Sequence, residues 1–230
     1  MTTPNQRRTA VVTGASSGIG EAIVTRLLDD GWSVIGLSRS RIDGRPDSFR
    51  SLQVDVSDPA QLRSALASIT EVHAIVHAAG MMHTAHIGEM NATHGSAMWA
   101  VHVGAAEVLV DQLAGRMSDG GRIVLIGSRA ASGVAGRSQY AATKSALIGL
   151  TRSWAAELVT RQITVNIVAP AATATPMLAD PNRVTSAPKV PPIGRLIARE
   201  EVAGLTAFLL GPHAGAITGQ QIVICGGSSL

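Results

Sequence analysis

The sequence predicts a single α/β domain: a doubly wound, seven-stranded parallel sheet with helices on both faces. Three observations predict it. Short Val/Ile-rich runs alternate with longer stretches of helical apolar spacing along the 230-residue chain. The short runs are almost continuously apolar, as strands are when helices bury both of their faces. The composition, 46% hydrophobic and 15% charged, fills a large core and excludes disorder. Aromatics are only 3%, against 24 glycines. That balance suits helices packed closely on a sheet and argues against a nucleic-acid reader that stacks bases on aromatic rings.

Each element follows from local pattern. The first strand is expected at 9–13, followed by a helix over 19–30 whose Ile23, Val24, Leu27 and Leu28 share one face. Strands follow at 33–37 and 52–54. Ser57 or Asp58 caps a helix over 60–69, with Pro59 at its first position. A strand at 72–77 leads into one long helix over 92–117, then a strand at 122–126. A second long helix covers 138–160, followed by a strand at 163–168, a helix at 199–210 and a last strand at 221–224. Between them, 171–198 carries Pro176, Pro181, Pro188, Pro191 and Pro192. It is too long for a plain connection and is read as a substrate lid. The whole of 1–230 is one domain.

Charge and cysteine content narrow the partners. The net charge of +3 is small and the basic residues are scattered, so neither nucleic acid nor a membrane surface is expected. The longest uncharged segment, 163–179, contains Asn166, Pro170 and Pro176 and is a poor membrane span. The start has no apolar run before a small-residue cleavage site. One cysteine, Cys225, forms no internal disulfide and is expected to be buried and unreactive in the last strand, so a reducing cytoplasm is the expected location. Six of the seven histidines lie between His73 and His102, but Glu89 is the only acidic residue among them, and no metal site is expected.

The ends of the strands carry the chemistry, because ligands of such a sheet bind beyond its carboxyl edge. The first strand runs into Thr13-Gly14-Ala15-Ser16-Ser17-Gly18-Ile19-Gly20. Glycines at a strand-to-helix turn let backbone approach a pyrophosphate seated on the helix N-terminus. A tight turn without a ligand is the plain alternative. The second strand ends in Ser38-Arg39-Ser40-Arg41, with no carboxylate to hold a ribose diol. An Arg fork with hydroxyls suits a 2′-phosphate, so NADP(H) is favoured over NAD(H). Asp55-Val56 is placed to bracket an adenine, or Asp55 caps the next turn.

Ser128 ends the fifth strand, and Tyr140 and Lys144 stand four residues apart on one helix face. A free phenol titrates near 10 and is a poor base at neutral pH; an ammonium beside it favours the phenolate. A strand-tip serine can hold the oxygen of a carbonyl. Tyr140 is the only tyrosine in the chain, which sets this pair apart from a surface i,i+4 contact.

In order along nearly the whole chain, 13–20, Asp55-Val56, Ala78-Ala79-Gly80, Ser128, Tyr140 to Lys144, Asn166 to Pro170, Thr175 and the tail from Thr218 to Gly227 resemble the short-chain dehydrogenase/reductases. The resemblance implies a Rossmann-type domain in which Ser128 positions the substrate oxygen, Tyr140 is the general acid/base, and Lys144 binds the nicotinamide ribose and lowers the tyrosine pKa. It implies cofactor contacts at Gly80 and along Pro170, Ala171, Thr173 and Thr175, and a homotetramer or homodimer. The 3-oxoacyl carrier-protein reductases are similar in the sixth strand and the C-terminal third. Departures are His77 for the usual Asn before Ala-Gly, His102 for the usual catalytic Asn that helps hold a relay water, and Pro170-Ala171 for Pro-Gly. The expected activity is hydride transfer between NADP(H) and a small ketone, aldehyde or secondary alcohol, with His102 at the catalytic centre. The alternatives are a dinucleotide-binding sensor or scaffold with weak turnover, and a 3-oxoacyl thioester reductase whose carrier docks near Arg129 and Arg137.

Overall fold

A computed structural model of the chain describes residues 7–178 and 189–230. Seven strands form one parallel sheet in the order β3-β2-β1-β4-β5-β6-β7. They are β1 (Thr9–Thr13), β2 (Ser33–Ser38), β3 (Phe49–Gln53), β4 (Val72–His77), β5 (Met117–Ile126), β6 (Thr164–Pro170) and β7 (Gln221–Ile224). The order turns back on itself at β1 and β4, and the crevice between their carboxyl ends is where such a sheet receives a ligand. The helices are α1 (Gly18–Asp29), α2 (Pro59–Leu66), α3 (Ala92–Trp99), α4 (Ala105–Leu113), α5 (Ser138–Leu158) and α6 (Arg199–Leu210).

The core is split by the sheet. On one face Ile23 and Leu27 of α1 pack with Val202 and Leu209 of α6 against Val12, Val76 and Val124. On the other, Leu62, Leu109 and Leu147 from α2, α4 and α5 cover Val11, Ile75 and Ile123. Strands whose side chains are buried on both faces read as continuous apolar runs, and β6 is buried at every position.

Several expected boundaries move. Asp58, not Ser57, caps α2, accepting the amides of Ala60 and Gln61 at 2.9 and 3.1 Å. β3 begins at Phe49 rather than Leu52: Phe49 pairs with Val34 of β2, and its ring lies over Gly36, where a Cβ would come within 2.6 Å of it. The helix expected over 92–117 is broken: a π turn, Ala100–Gly104, separates α3 from α4, and a 3-10 turn ends it. Met117 belongs to β5, where it pairs with Val72 ahead of a register shift. Cys225 follows β7 instead of lying within it; it is half-buried, and hydrogen bonds from Ser229 and the amides of 227–229 hold its thiol below the ordinary range.

The two described limbs of 171–198 pair at their base, where the Ile197 amide donates to the Ala172 carbonyl at 3.0 Å and Ala174 to Ile197 at 2.9 Å. Residues 179–188, with Pro181 and Pro188, lie outside the described residues. Among the described residues no helix is long and apolar enough to cross a membrane.

Candidate active site

A cleft of about 820 Å³ opens at the carboxyl ends of the central strands. Ser128, Tyr140, Lys144 and His102 all line it, as do Ile19, Ala78, Gly80, Pro170, Ala171, Thr173 and Thr175. Sequence positions more than a hundred residues apart therefore meet in one space.

The turn from β1 into α1 is set by backbone. Gly14 and Gly18 adopt φ of +67° and +58°, a region in which side chains with a Cβ are strained. A Cβ on Gly20 would stand 2.2 Å from the Gly14 carbonyl oxygen. Ser17 is the extended N-cap of α1 but its side chain caps nothing, so the first amides of the helix stay open to an anion. Ser16 lies in the same turn. At the end of β2, buried Ser38 donates to the Ser40 carbonyl at 2.6 Å, and Gln53 donates to the Arg39 carbonyl at 3.0 Å. These bonds shape the loop while the Arg39 side chain stays exposed. No carboxylate ends β2, so the residues present fit a dinucleotide that carries a 2′-phosphate.

Asp55 accepts the Ser57 hydroxyl at 2.7 Å and its amide at 2.9 Å, bonds that hold its carboxyl below the usual range. It thus makes the turn before α2. Val56 is buried in the core beside it. Ala79 packs at Gly14, where its amide and Cα would each stand 2.9 Å from an added Cβ.

The candidate catalytic residues are held by buried bonds. Lys144 is 4% exposed, and its ammonium donates to the Ile126 carbonyl at 2.8 Å. Burial lowers its pKa to about 7. Ser128 caps a 3-10 turn over Arg129–Ser132, accepting the Ala130 amide at 3.1 Å, which fixes the side chain while its proton remains to donate. Tyr140 is 7% exposed and packs with Met98 and Ala130.

The two departures, His77 and His102, form buried networks that fix their tautomers. The Thr13 hydroxyl accepts the amides of Ala78 and Ala79 at 3.1 Å each, so its own proton goes to His77 Nδ1 at 2.9 Å. His77 Nε2–H then donates to the Val101 carbonyl at 3.0 Å, inside the π turn. The Met81 amide donates to His102 Nε2 at 3.1 Å, so the ring proton sits on Nδ1 and goes to Thr143 Oγ1 at 2.8 Å. Thr143 passes its proton to the Tyr140 carbonyl at 2.8 Å. Burial first, then Lys144, pushes His77 down to about 3 and His102 well below the ordinary value, so both rings are neutral. His102 meets the Tyr140 ring edge-on, with centroids 5.6 Å apart.

Sequence reasoning missed Thr13 and Thr143, the hinges of these networks; Thr143 stands three residues from Tyr140 and adjoins Lys144, which was the available signal. It also missed the apolar wall of Met81, Met82, Val134 and Met177. His83 stacks on His94 with centroids 3.9 Å apart, and among the described residues no group of three metal-ligating side chains forms.

A Rossmann-type sheet with Ser128, Tyr140 and Lys144 in one cleft defines a class, and the comparisons agree with it. Residues 14–229 match a family model described as enoyl-(acyl carrier protein) reductase. The chain belongs to the short-chain dehydrogenase/reductase family and is an oxidoreductase that acts between CH–OH and C=O groups. It is 34% identical to a 3-oxoacyl-[acyl-carrier-protein] reductase of Vibrio cholerae, over 96% of each chain. Among solved structures it is similar to a short-chain dehydrogenase/reductase from Serratia marcescens, with a TM-score of 0.85 and 36% identity over 99% of this chain and 100% of that one. It is also similar to a blue fluorescent protein from a metagenomic library, solved in complex with NADPH, with a TM-score of 0.86 and 33% identity over 97% and 98%.

Proposed function

We propose that the protein reduces a small ketone or aldehyde, or oxidises the matching secondary alcohol, with NADP(H). The observation that carries this reading is the meeting of Ser128, Tyr140 and buried Lys144 in one cleft. The open amides of α1 would hold the pyrophosphate, and exposed Arg39 would hold the 2′-phosphate, with Ser38 fixing the loop behind it through its bond to the Ser40 carbonyl. When bound, NADP(H) supplies or accepts the hydride.

The remaining work falls to the chain itself. Ser128 donates its hydroxyl proton in a hydrogen bond to the substrate oxygen and fixes the carbonyl in place. In reduction Tyr140 gives its phenolic proton to that oxygen; in oxidation its phenolate takes the proton back. Lys144 as an ammonium favours the phenolate, and its position near neutrality lets it exchange protons at working pH. Neutral His102, spoken for at both nitrogens, supports Tyr140 through Thr143 and Met81. The described flanks of 171–198, with Thr175, Met177 and Leu178 on one side and Val190 and Pro192 on the other, line the cleft where a substrate would sit. A second reading, a 3-oxoacyl thioester reductase, is favoured by the printed activity of the Vibrio cholerae relative. The single cysteine supports a reducing, cytoplasmic location, and the family resemblance supports a homotetramer or homodimer, which sedimentation tests.

The test is nicotinamide absorbance with NADPH and NADH in parallel against small ketones, aldehydes and 3-oxoacyl thioesters. Consumption of NADPH with free carbonyl compounds supports the first reading, and consumption with thioesters alone supports the second. No consumption with any of them, alongside measurable NADPH binding, supports the sensor alternative.

A further inference from the structure

The helical run between β4 and β5 changes its winding at one place, and a buried ring from outside the cleft reaches that place. In an α-helix the Ala105 amide would bond to the Val101 carbonyl. Here it reaches back to Ala100, the i→i+5 bond of a π turn. The Val101 carbonyl accepts His77 Nε2–H at 3.0 Å, and the His102 backbone adjoins the same ring. His77 ends β4, is 1% exposed and is not among the described residues that line the cleft. Its other nitrogen meets the Thr13 hydroxyl at 2.9 Å, in register across β1 and β4, so the ring is anchored to the sheet at one end and to the turn at the other.

Two consequences of the turn reach Tyr140. The residue after Val101 is His102, whose Nδ1–H goes to Thr143, and Thr143 in turn bonds to the Tyr140 carbonyl three residues back on α5. The second concerns Met98 and Leu109, about three α-helical turns apart in sequence, which a continuous helix would set on one face. The extra residue of the π turn swings them apart by about 100°. Met98 then packs with Tyr140 and Ala130, while Leu109 stays in the core with Ile75 and Ile123. A buried histidine bonded at both nitrogens is ordinarily a core residue. His77 differs because its partner is the carbonyl that gives up the Ala105 amide when the winding changes.

We infer that His77 is a positioning residue for Tyr140: it holds the π turn at Val101, and the turn aims His102 at Thr143 and Met98 at the tyrosine. This rests on the reading of Tyr140 as the proton donor in a carbonyl reduction.

Four variants separate this role from core filling. His77→Leu fills a similar volume and removes both bonds; His77→Gln puts an amide donor where Nε2 stands; His77→Asn stops short, at the place of Nδ1; Thr143→Val removes the hydroxyl that His102 meets. With NADPH and the fastest compound of the carbonyl panel, His77→Leu is expected to lower kcat about 10- to 100-fold, as when a reacting group is misplaced by about 1 Å. Its KM for the carbonyl compound is expected to stay within about twofold of the wild type. His77→Gln is expected to recover most of the rate and to be faster than His77→Asn. The losses from His77→Leu and Thr143→Val are expected not to add, because both cut one path. Hydrogen exchange over Ala100–Gly104, read by mass spectrometry, needs no substrate. The turn is expected to exchange faster in His77→Leu and to regain protection in His77→Gln.

An unchanged kcat in His77→Leu overturns the inference, as do losses that add, or exchange over the turn that does not respond. If His77→Leu does not fold, equal rates for His77→Gln and His77→Asn overturn it. A wild type that reduces none of the panel, with exchange responding as expected, removes the redox reading and leaves the hold of His77 on the turn standing.

Discussion

At the carboxyl ends of β1 and β2 the chain meets its ligand mainly with backbone: left-handed glycines, an uncapped helix N-terminus and a polar loop. Around the ends of β4 and β5, across the same crevice, it works with side chains removed from water, namely Lys144, His77, His102 and Thr143, with Thr13 reaching His77 from the end of β1. The contrast follows from what each half must do. Phosphate is recognised wherever amides converge, so shape suffices and charge can remain in solvent. Proton transfer near neutrality needs a phenol and an amine away from their solution pKa values, which requires burial and fixed partners. The dinucleotide half is therefore sensitive to steric change, and the catalytic half to protonation.

The most severe break is expected at Gly20. In Gly20→Ala the new Cβ meets a backbone oxygen at 2.2 Å, and the backbone on both sides is fixed. The expected loss is about 3 kcal/mol of stability, together with NADPH binding. Thermal melts followed by circular dichroism measure it; an unchanged midpoint would mean that the turn is not sterically locked.

Acid sharpens the other side of the comparison. Burial holds His77 down to about 3 in the folded chain against an ordinary 6.5, so between these values the unfolded chain holds more protons. Stability therefore falls as pH drops through that window. At pH 5 the single group costs about 2 kcal/mol relative to neutral pH, a melting point lower by about 4–8 °C. His77→Asn keeps hydrogen-bonding capacity without titrating, and melts of both proteins at pH 7 and 5 are expected to show a smaller drop for the variant. An equal drop would assign the acid sensitivity elsewhere.

The smallest expected effect is at Arg39, which is exposed. Arg39→Ala is expected to reduce the preference for NADPH over NADH by about tenfold, read from the two dissociation constants. No change would place the 2′-phosphate on another group.

Much of this arrangement was legible in the sequence because it rests on short-range rules. Apolar runs marked the strands, the glycine turn stood directly after the first of them, and Tyr140 and Lys144 shared a helix face by spacing alone. The interruption at Ala100–Gly104 was not legible, because the run Ala-Val-His-Val that opens it contains no proline or glycine that would mark a change from i→i+4 to i→i+5 bonding. Nor was the neutrality of His102. It depends on the Met81 amide and Thr143, which the fold brings to the ring from 21 and 41 residues away.

Tyr140→Phe tests the central claim most directly, because it removes one hydroxyl from the catalytic half and leaves the backbone of the dinucleotide half in place. NADPH consumption with a small ketone and NADPH binding by fluorescence are measured on the same samples. Turnover is expected to fall by about 10²- to 10⁴-fold, the range of a lost general acid, while the NADPH dissociation constant stays where it was. Turnover equal to the wild type, or a loss of NADPH binding that matches the loss of turnover, would contradict the account.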